Sequence, residues 1–487
     1  MIILSPSDLL NKPEGKTLEF KQDLSSPRNI LKTIVAFANT AGGRIIIGVE
    51  DKSRTVSGIA DPLGEEERLC SLIADSILPR LVPDVDIISV EDATLLVVQV
   101  YPSGQRPHFL KKEGPVEGVY VRLGSTNRKA DRELIAELNR SCTGISFDEM
   151  PMPELSEDDL DLESARRHFS GKRELTREEL MTLKLLILDQ GKYVPTHGAM
   201  LLYGKRRDFY FPDAWIQCGR FIGRDKADIF DHIDINDSLP DAVESIILFL
   251  KKHAMRGADF SEIRRKDVWS IPLTMLREVI INALVHADYS QIGAPIRVSF
   301  FDDRIEIENP GILLPGMTVE DVKSGVSKIR NRVIARVFRE LDLIEQWGSG
   351  FPRVIREAAE QGLLEPVIEE IGMRVRVTVF LSEELVIHTE GPSRDQVGTK
   401  SGPSHSERDR VDLNDEQRLV LQKCIQESGI TELMAAVHRT NRSKFREAVI
   451  NPLLDMGLLE MTIPDKPNSS KQKYRVTLKG KDLQAIL

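Results

Sequence analysis

Acidic side chains flank two predicted strands near the start of the chain. Glu14 and Glu19 stand five residues apart in EGKTLEFK, and Asp51 follows the apolar strand at 44–49. If the two strands are neighbours, Glu19 and Asp51 come close, and crowded carboxylates repel each other unless a cation neutralises them. Mg²⁺ or Mn²⁺ held by two or three acids can activate water and stabilise a phosphoryl transition state, whose charge Lys21 could also neutralise. Solvated acids at strand ends are the alternative, and the spacing leaves both open.

A second polar set lies on one predicted helix, in the segment LTMLREVIINALVHADYS. Glu278, Asn282 and His286 are spaced four residues apart and therefore share one helix face. The rest of the helix is apolar, so this polar stripe is a poor core surface and suits a ligand. A carboxylate can polarise water, and an amide oxygen can join a magnesium shell. The alternative is a polar stripe that only hydrogen-bonds loop backbone.

Residues 411–487 carry a third set, of basic side chains. Three short helices are predicted there, the third starting near Thr440 or Asn441, and two strands follow around a polar loop. This order resembles the winged helix-turn-helix, in which the third helix enters the major groove and the wing contacts the DNA backbone. The third helix and the wing would carry Arg442, Lys444, Arg446, Lys471, Lys473 and Arg475. A module that contacts only protein is the alternative.

Composition limits the classes of protein to which these sites can belong. A chain of 487 residues predicts two to four domains, and a net charge of −10 argues against a protein that coats nucleic acid indiscriminately. Residues 411–487 are the exception, because 12 Lys and Arg against 10 Asp and Glu give +2. No apolar run approaches the ~20 residues of a transmembrane helix, and the start lacks the basic region of a signal peptide. Four cysteines without a CxxC pair favour reduced thiols, so we expect a cytoplasmic protein without membrane contact.

Secondary-structure signals divide the chain into five parts. Ser26 and Pro27 begin the first helix, and Gly42 and Gly43 end it before a buried strand. The predicted parts are an α/β domain at 1–145, a linker and mixed α/β connector at 146–270, a further α/β domain at 271–384, a flexible linker at 385–412 and a helix-and-hairpin module at 413–487. No internal repeat of solenoid period is present.

The first part resembles the Schlafen AlbA-type domain. The resemblance lies in EGKTLEFKQD, AFANTAGGRIIIGVEDKSRTVSGI and VYVRLGSTNRKADRE. In the Schlafens that cut tRNA and rRNA, two glutamates and a later aspartate form the catalytic site. The resemblance implies that Glu14, Glu19 and Asp51 do so here, with a divalent ion and with Lys21 beside them. The nucleic-acid backbone would be guided by Arg122, Arg128, Lys129 and Arg132.

The third part resembles the GHKL ATPases, such as gyrase, histidine kinases and MutL, through its Glu-x-x-x-Asn helix. More narrowly, ExxxNAxxHxDYS, IEIENPG and SKIRNRVIARVFRELDLIEQWGSGF follow one another as in the divergent RecG-like ATPase domain. The resemblance implies that Glu278 activates water, that Asn282 binds Mg²⁺ and that His286 lies beside the cofactor.

Two glycine loops would hold the phosphates in this resemblance, one with Asn309 and Gly311 and the other with Gly348 and Gly350. The usual acidic-glycine box for adenine is not plainly present, and Glu308 stands with Asn309 where it would be expected. No P-loop occurs in the chain, so the RecG-like resemblance does not imply a helicase motor.

Together these features predict a multidomain α+β protein with a Schlafen AlbA-like α/β domain, a central GHKL-like α/β sandwich and a C-terminal winged helix-turn-helix. We expect a nucleic-acid-binding regulator, with RNA or DNA as partner, in which ATP and Mg²⁺ in the centre bias the winged helix. The alternative is a nucleotide-gated, metal-dependent Schlafen-type endoribonuclease of stress response or phage defence, with Mn²⁺ or Mg²⁺ at the N-terminal acids. A scaffold without ligand is a third class. ATP hydrolysis, RNA cleavage and homo-oligomer formation are left open.

Overall fold

The computed structural model describes residues 10–51, 53–90, 92–254, 256–259, 266–269, 271–344 and 350–381, and then 415–424, 428–437, 439, 445–455, 458–462 and 473–477. The chain forms two compact units, Met1–Thr389 and Glu390–Leu487. Among the described residues no helix has the length and apolarity needed to cross a membrane. The four cysteines are free of disulfide bonds.

The first part of the larger unit is an α/β domain. Its strands are β1 (Leu18–Lys21), β2 (Gly43–Ile47), β3 (Ile77–Leu78), β4 (Asp84–Val90), β5 (Ala93–Val100), β6 (Phe109–Leu110), β7 (Tyr120–Leu123) and β8 (Thr126–Lys129). Its helices are α1 (Pro27–Asn39), α2 (Pro62–Ser76), α3 (Gly114–Glu117) and α4 (Arg132–Thr143).

Four of these strands form one sheet in the order β1-β2-β5-β4, with β1 parallel to β2 and the other pairs antiparallel. Ile34 and Phe37 on α1 lie in a core with Ile45 and Val98 from the sheet. A second core contains Phe20 and neighbouring strand residues. Successive side chains of β2 point alternately into the first and the second core. Both faces of the strand are therefore apolar, which explains its continuous apolar sequence.

The rest of the larger unit surrounds a second sheet. Its strands are β9 (Leu186–Asp189), β10 (Lys192–Pro195), β11 (Ile216–Ile222), β12 (Asp228–Ile235), β13 (Arg256–Asp259), β14 (Lys266–Trp269), β15 (Ile296–Phe300), β16 (Arg304–Pro310), β17 (Val367–Ile371) and β18 (Arg374–Phe380). Its helices are α5 (Leu162–His168), α6 (Arg177–Thr182), α7 (His197–Tyr203), α8 (Arg207–Tyr210), α9 (Leu239–His253), α10 (Leu273–His286), α11 (Val319–Lys323), α12 (Arg332–Glu340) and α13 (Gly350–Glu360), with 3₁₀ turns at Phe147–Glu149 and Glu157–Asp159.

This second sheet has six strands in the order β12-β11-β15-β16-β18-β17. Only β11 and β15 are parallel among these neighbours, with Ile216 opposite Ile296. Strands from both sides of residue 270 therefore belong to one sheet. One apolar core joins the expected connector to the domain after it: Met200 and Ile246 lie in the same core as Val279 of α10. The connector predicted at 146–270 therefore shares its sheet and its core with the domain predicted at 271–384.

The two parts of the larger unit share a small core. Ile312, from the loop after β16, is buried in a cluster with Val121 of β7 and Leu134 and Leu138 of α4. The Gly316 N–H of the same loop donates to the Thr40 carbonyl at 2.9 Å, just after α1. The loop that follows Gly311 is thus packed into the N-terminal domain.

The smaller unit contains α14 (Asp415–Lys423), β19 (Ser428–Gly429), α15 (Ile430–Ala436), a π-helical turn at Arg446–Ile450, α16 (Asn451–Asp455), β20 (Leu459–Met461) and β21 (Lys473–Val476). Its three strands are antiparallel in the order β19-β21-β20. Leu421, Leu433, Phe445 and Tyr474 lie in its core. The helical segments and the strand pair follow the predicted order, and the assignment as a winged helix stays a prediction.

Candidate functional site

The N-terminal acids are brought together by the parallel pairing of β1 and β2. Glu19 on β1 lies opposite Ile45 on β2, and the chain leaves β2 toward Asp51. Carboxyl ends of parallel neighbours lie at the same sheet edge, which places Asp51 near the end of β1. Glu14 joins them because its Oε1 accepts the Phe20 N–H at 2.7 Å, which folds the preceding loop back onto β1.

The three carboxyl groups interact with one another and with two cations. Lys21 Nζ lies 2.6 Å from Glu19 Oε1 and 3.9 Å from Asp51 Oδ2, and Arg122 contacts Glu19 Oε2. Burial raises the pKa of Glu14, and the charges of Glu19 and Asp51 raise it further, while the Phe20 N–H lowers it. The same acids that the spacing singled out therefore form one cluster.

The expected three-carboxylate metal site is not formed in this arrangement. The described part of the chain contains no group of three His, Cys, Asp or Glu side chains that could hold a metal ion. Lys21 and Arg122 each contact one oxygen of Glu19. A divalent ion would find Glu14 and Asp51 as ligands here, and Glu19 only after Lys21 has moved.

Arg122 does not occupy the position expected for a guide of nucleic acid. Its side chain is 1% exposed, with Nε donating to the Gly15 carbonyl and Nη1 to Asn127 Oδ1, each at 3.0 Å. It cannot reach a phosphate backbone in solvent, and instead it holds Glu19 and the loop after Glu14. The remaining expected contacts, Arg128, Lys129 and Arg132, are exposed, and Lys129 pairs with Glu117 at 2.7 Å.

The second candidate site lies on α10. Asn282 Nδ2 donates to Glu278 Oε1 at 3.2 Å, and Arg353 Nη2 lies 3.0 Å from Glu278 Oε2. The start of α13 contacts the same carboxylate, because a Cβ at Gly350 would lie 2.0 Å from Glu278 Oε1. A larger residue at 350 would displace the Glu278 carboxylate from this position. Arg353 was missed by the sequence analysis, since its pairing joins residues that are 75 apart in sequence.

The other end of α10 meets the loop with Asn309 and Gly311. Asn309 Nδ2 donates to the His286 carbonyl at 3.4 Å, and the Asp288 N–H donates to the Pro310 carbonyl at 2.9 Å. Gly311 has φ +99°, and a Cβ there would lie 3.0 Å from Asp288 Cβ and from Arg330 Cζ. Burial, with the Arg330 charge, lowers the pKa of His286 to about 4 and keeps it neutral at pH 7.

Asp288 and Arg330 are residues of this region that the sequence analysis did not select. Asp288 is 3% exposed and accepts from the Ser290 N–H and hydroxyl at 3.1 and 2.6 Å. Arg330 is 7% exposed and contacts the Glu137 carboxylate and the Ile312 carbonyl. The sequence pointed to Asp288 and Arg330 only through the stretches HADYS and SKIRN that contain them, because both stretches are part of the RecG-like resemblance.

The remaining expected residues are described in part. Gly348, Arg442, Lys444 and Lys471 lie outside the described residues. In the smaller unit Arg446 Nη2 donates to the Tyr474 hydroxyl at 3.3 Å. Lys473 and Arg475 are exposed on β21, and Arg475 Nε lies 2.5 Å from Glu460 Oε1.

Three family models match separate segments of the chain. Residues 14–131 match "Schlafen, AlbA_2", and residues 293–379 match "Putative ATP-dependent DNA helicase recG C-terminal". The predicted resemblances of these two parts are thereby confirmed. Residues 416–477 match "Filamentation induced by cAMP protein Fic-like, C-terminal domain", so the winged helix is not confirmed by this comparison.

Two solved structures are similar to the chain. The DIP2311 protein from Corynebacterium diphtheriae is 18% identical, with 96% of this chain and 94% of that one covered and a TM-score of 0.42. The N-terminal domain of a RecG-related protein from Nitrosomonas europaea is 27% identical, with 25% of this chain and 91% of that one covered and a TM-score of 0.21. Both TM-scores are too low to equate the overall folds.

Proposed function

We propose that the protein binds ATP with Mg²⁺ in its central domain and binds nucleic acid. In this proposal it is a transcriptional regulator whose action depends on the nucleotide. The observation that supports this best is the set of groups along α10. Glu278 and Asn282 lie side by side at the glycine start of α13, and the Gly311 loop lies at the other end of α10. Eight residues of helix separate Glu278 from His286, about 12 Å, which suits a nucleoside with its phosphates.

The groups along α10 fit the chemistry of a magnesium nucleotide. Because Asn282 Nδ2 donates to Glu278, the amide oxygen is the atom left to join a magnesium shell. The first peptide N–H groups of α13 carry the positive end of the helix dipole and suit phosphate oxygens. Gly311 lets backbone approach a ligand closely. Bound Mg²⁺ would neutralise phosphate charge.

The geometry supports binding of ATP better than its hydrolysis. A carboxylate that orients the attacking water must have an oxygen within hydrogen-bond reach of that water, so that it can accept the proton. Both oxygens of Glu278 are engaged here, one by Asn282 and the other by Arg353. Turnover would require Arg353 to release Glu278.

Nucleic-acid binding is supported by exposed cations of the N-terminal domain, which matches the Schlafen AlbA_2 model. Arg128 on β8 and Arg132 at the start of α4 are exposed and close in sequence. Lys/Arg side chains that neutralise phosphates release counterions, so binding weakens as salt rises. The basic residues of the smaller unit are a second set of contacts in this proposal.

The experiment measures binding of tRNA and of a 20-base-pair DNA duplex to the full chain over a salt series, with and without ATP–Mg²⁺. We expect the double variant Arg128→Ala/Arg132→Ala to bind more weakly and with a shallower salt slope, by about 0.9 in log–log units per lost duplex contact. The matched control is Arg166→Ala/Arg167→Ala, which removes the same charge from exposed positions of α5. An equal loss in the control, or no effect of ATP on either affinity, would reject the proposal.

A second candidate function, metal-dependent RNA cleavage, is favoured by the clustering of Glu14, Glu19 and Asp51. Glu14 and Asp51 would hold the divalent ion, which would supply an activated water and charge stabilisation. Lys21 would release Glu19 on metal binding and remain beside the phosphate. Its close contact with Glu19 is the reason that this candidate stands second.

A further inference from the structure

A buried ion pair joins the two candidate sites. Lys16 lies in the loop between Glu14 and Glu19, and its Nζ is 2.7 and 2.6 Å from the two carboxylate oxygens of Glu370 on β17. The two side chains are only 12% and 5% exposed. The loop that carries one of the clustered acids is therefore fixed to the central sheet.

Glu370 makes a second contact, with the loop after Gly311. Its Oε1 accepts the Leu313 N–H at 2.8 Å. Leu313 is two residues beyond Gly311, and Ile312 between them is buried in the N-terminal core. One carboxylate thus holds both the expected phosphate loop and the acid loop.

The surroundings make this contact stiff. Separating Lys16 from Glu370 would leave two charges unpaired at a largely buried position, so we expect the two loops to move together. Charge-assisted hydrogen bonds to a carboxylate are short and directional. Packed interiors have low compressibility and transmit small shifts. A movement of the Gly311 loop on phosphate binding would therefore displace Glu370, and through it Lys16.

We infer that Glu370 is a positioning residue that couples the nucleotide site to the N-terminal acid cluster: phosphate bound at the Gly311 loop changes the placement of residues 14–19 through Glu370 and Lys16. The inference rests on the proposed function, because it requires nucleotide at α10. It adds the direction of regulation, from the central domain to the nucleic-acid-binding domain.

The test is amide hydrogen exchange of the full chain with and without ATP–Mg²⁺, followed by mass spectrometry of peptides that cover 14–21 and 311–318. In wild type we expect ATP to slow exchange in both segments. In Lys16→Met/Glu370→Gln we expect the effect at 311–318 to remain and the effect at 14–21 to disappear. This double variant removes both charges together and retains an acceptor for the Leu313 N–H, so it should fold, which its melting temperature checks.

The matched control is Lys323→Met/Glu365→Gln, which removes an ion pair of 2.6 Å that is exposed and lies outside this connection. It should respond to ATP as wild type does. The affinity for tRNA is a second readout. ATP should change it roughly 5-fold or more in wild type and in the control, and little in the Lys16/Glu370 double variant.

The outcomes separate this inference from the proposed function. No ATP effect at either segment in wild type would overturn both. An effect at 311–318 alone would leave ATP binding in place and overturn the coupling. Equal effects at 14–21 in wild type and in the Lys16/Glu370 double variant would show that the coupling runs through other contacts, such as Arg330 and Glu137, and would overturn the role of Glu370.

Discussion

Both candidate sites hold a carboxylate against a basic side chain, but the other groups around that carboxylate differ. Glu19 is bound by Lys21 and Arg122 within a cluster of three acids, which leaves one net negative charge. Among the described residues Glu278 pairs with Arg353, which also lies 3.7 Å from Glu357, and it is beside a neutral amide and a helix start. A phosphate near the three acids of the first arrangement would need a further cation. The second arrangement offers a magnesium phosphate the Asn282 amide oxygen and the peptide N–H groups at the start of α13. This difference supports the proposal that the nucleotide binds in the central domain.

The largest expected effect comes from breaking the pair that organises the N-terminal cluster. Arg122→Met removes one of the two cations on buried Glu19, together with the hydrogen bonds to Gly15 and Asn127, so we expect the free energy of unfolding to fall by about 3–5 kcal/mol. Urea unfolding of the full chain, followed at the transition of the larger unit, measures it. The control is Lys129→Met, whose pair with Glu117 is exposed (55% and 69%) and should cost only about 0–1 kcal/mol. Equal losses in the two variants would mean that Arg122 does not organise the cluster.

The next effect concerns acid stability of the central domain. Burial lowers the pKa of His286 to about 4 and that of His197 to about 4, from an ordinary value of 6.5. Each pKa is depressed on folding, so the unfolded chain binds the proton first, and stability is full above pH 6.5 and falls as the pH drops toward 4. The loss is up to about 3 kcal/mol for each histidine.

Replacing either histidine should flatten this pH dependence. We expect His286→Gln and His197→Gln each to reduce the slope of unfolding free energy between pH 6.5 and 4 by about 1.4 kcal/mol per pH unit. His232→Gln, at an exposed position of β12, is the matched control. An unchanged slope in the His286 variant would show that this end of α10 is open to water.

A third effect tests whether the acid cluster cuts or only binds. If the second candidate function holds, full-length protein with Mn²⁺ cuts tRNA, a chelator stops it, and Glu19→Gln lowers the rate at least ~100-fold. Binding of tRNA by the same variant should be equal or tighter, since one negative charge is removed. Wild-type protein that binds tRNA with Mn²⁺ present and never cuts it would reject cleavage and leave the regulator as the only function proposed.

The sequence analysis identified the candidate site residues that lie on one element or at the ends of neighbouring strands. The positions of Glu14, Glu19 and Asp51 around two short strands predicted that they converge if the strands are neighbours, and the parallel pairing of β1 with β2 meets that condition. The period of α10 likewise predicted that Glu278 and Asn282 share a face. The second prediction depends on local helix geometry, whereas the first also depends on the pairing of two strands.

The partners of these residues were not predictable, because they come from distant parts of the chain. Arg122 lies 103 residues from Glu19, and Glu370 lies 354 from Lys16. Spacing alone could not distinguish an arginine that contacts nucleic acid from one that is buried against an acid. The parallel pairing of β11 with β15 was missed for the same reason, since the strands are separated by a strand, two helices and a hairpin.

The most direct test of the account is stabilisation by ATP through Asn282. The melting of the larger unit in the full chain is measured with and without millimolar ATP–Mg²⁺, in wild type, in Asn282→Ala and in Asn139→Ala, an exposed asparagine on α4. We predict stabilisation of about 2.7 kcal/mol at an ATP concentration 100 times Kd in wild type and Asn139→Ala, and the loss of most of it in Asn282→Ala. No ATP-dependent shift in wild type, or an undiminished shift in Asn282→Ala, would contradict the account.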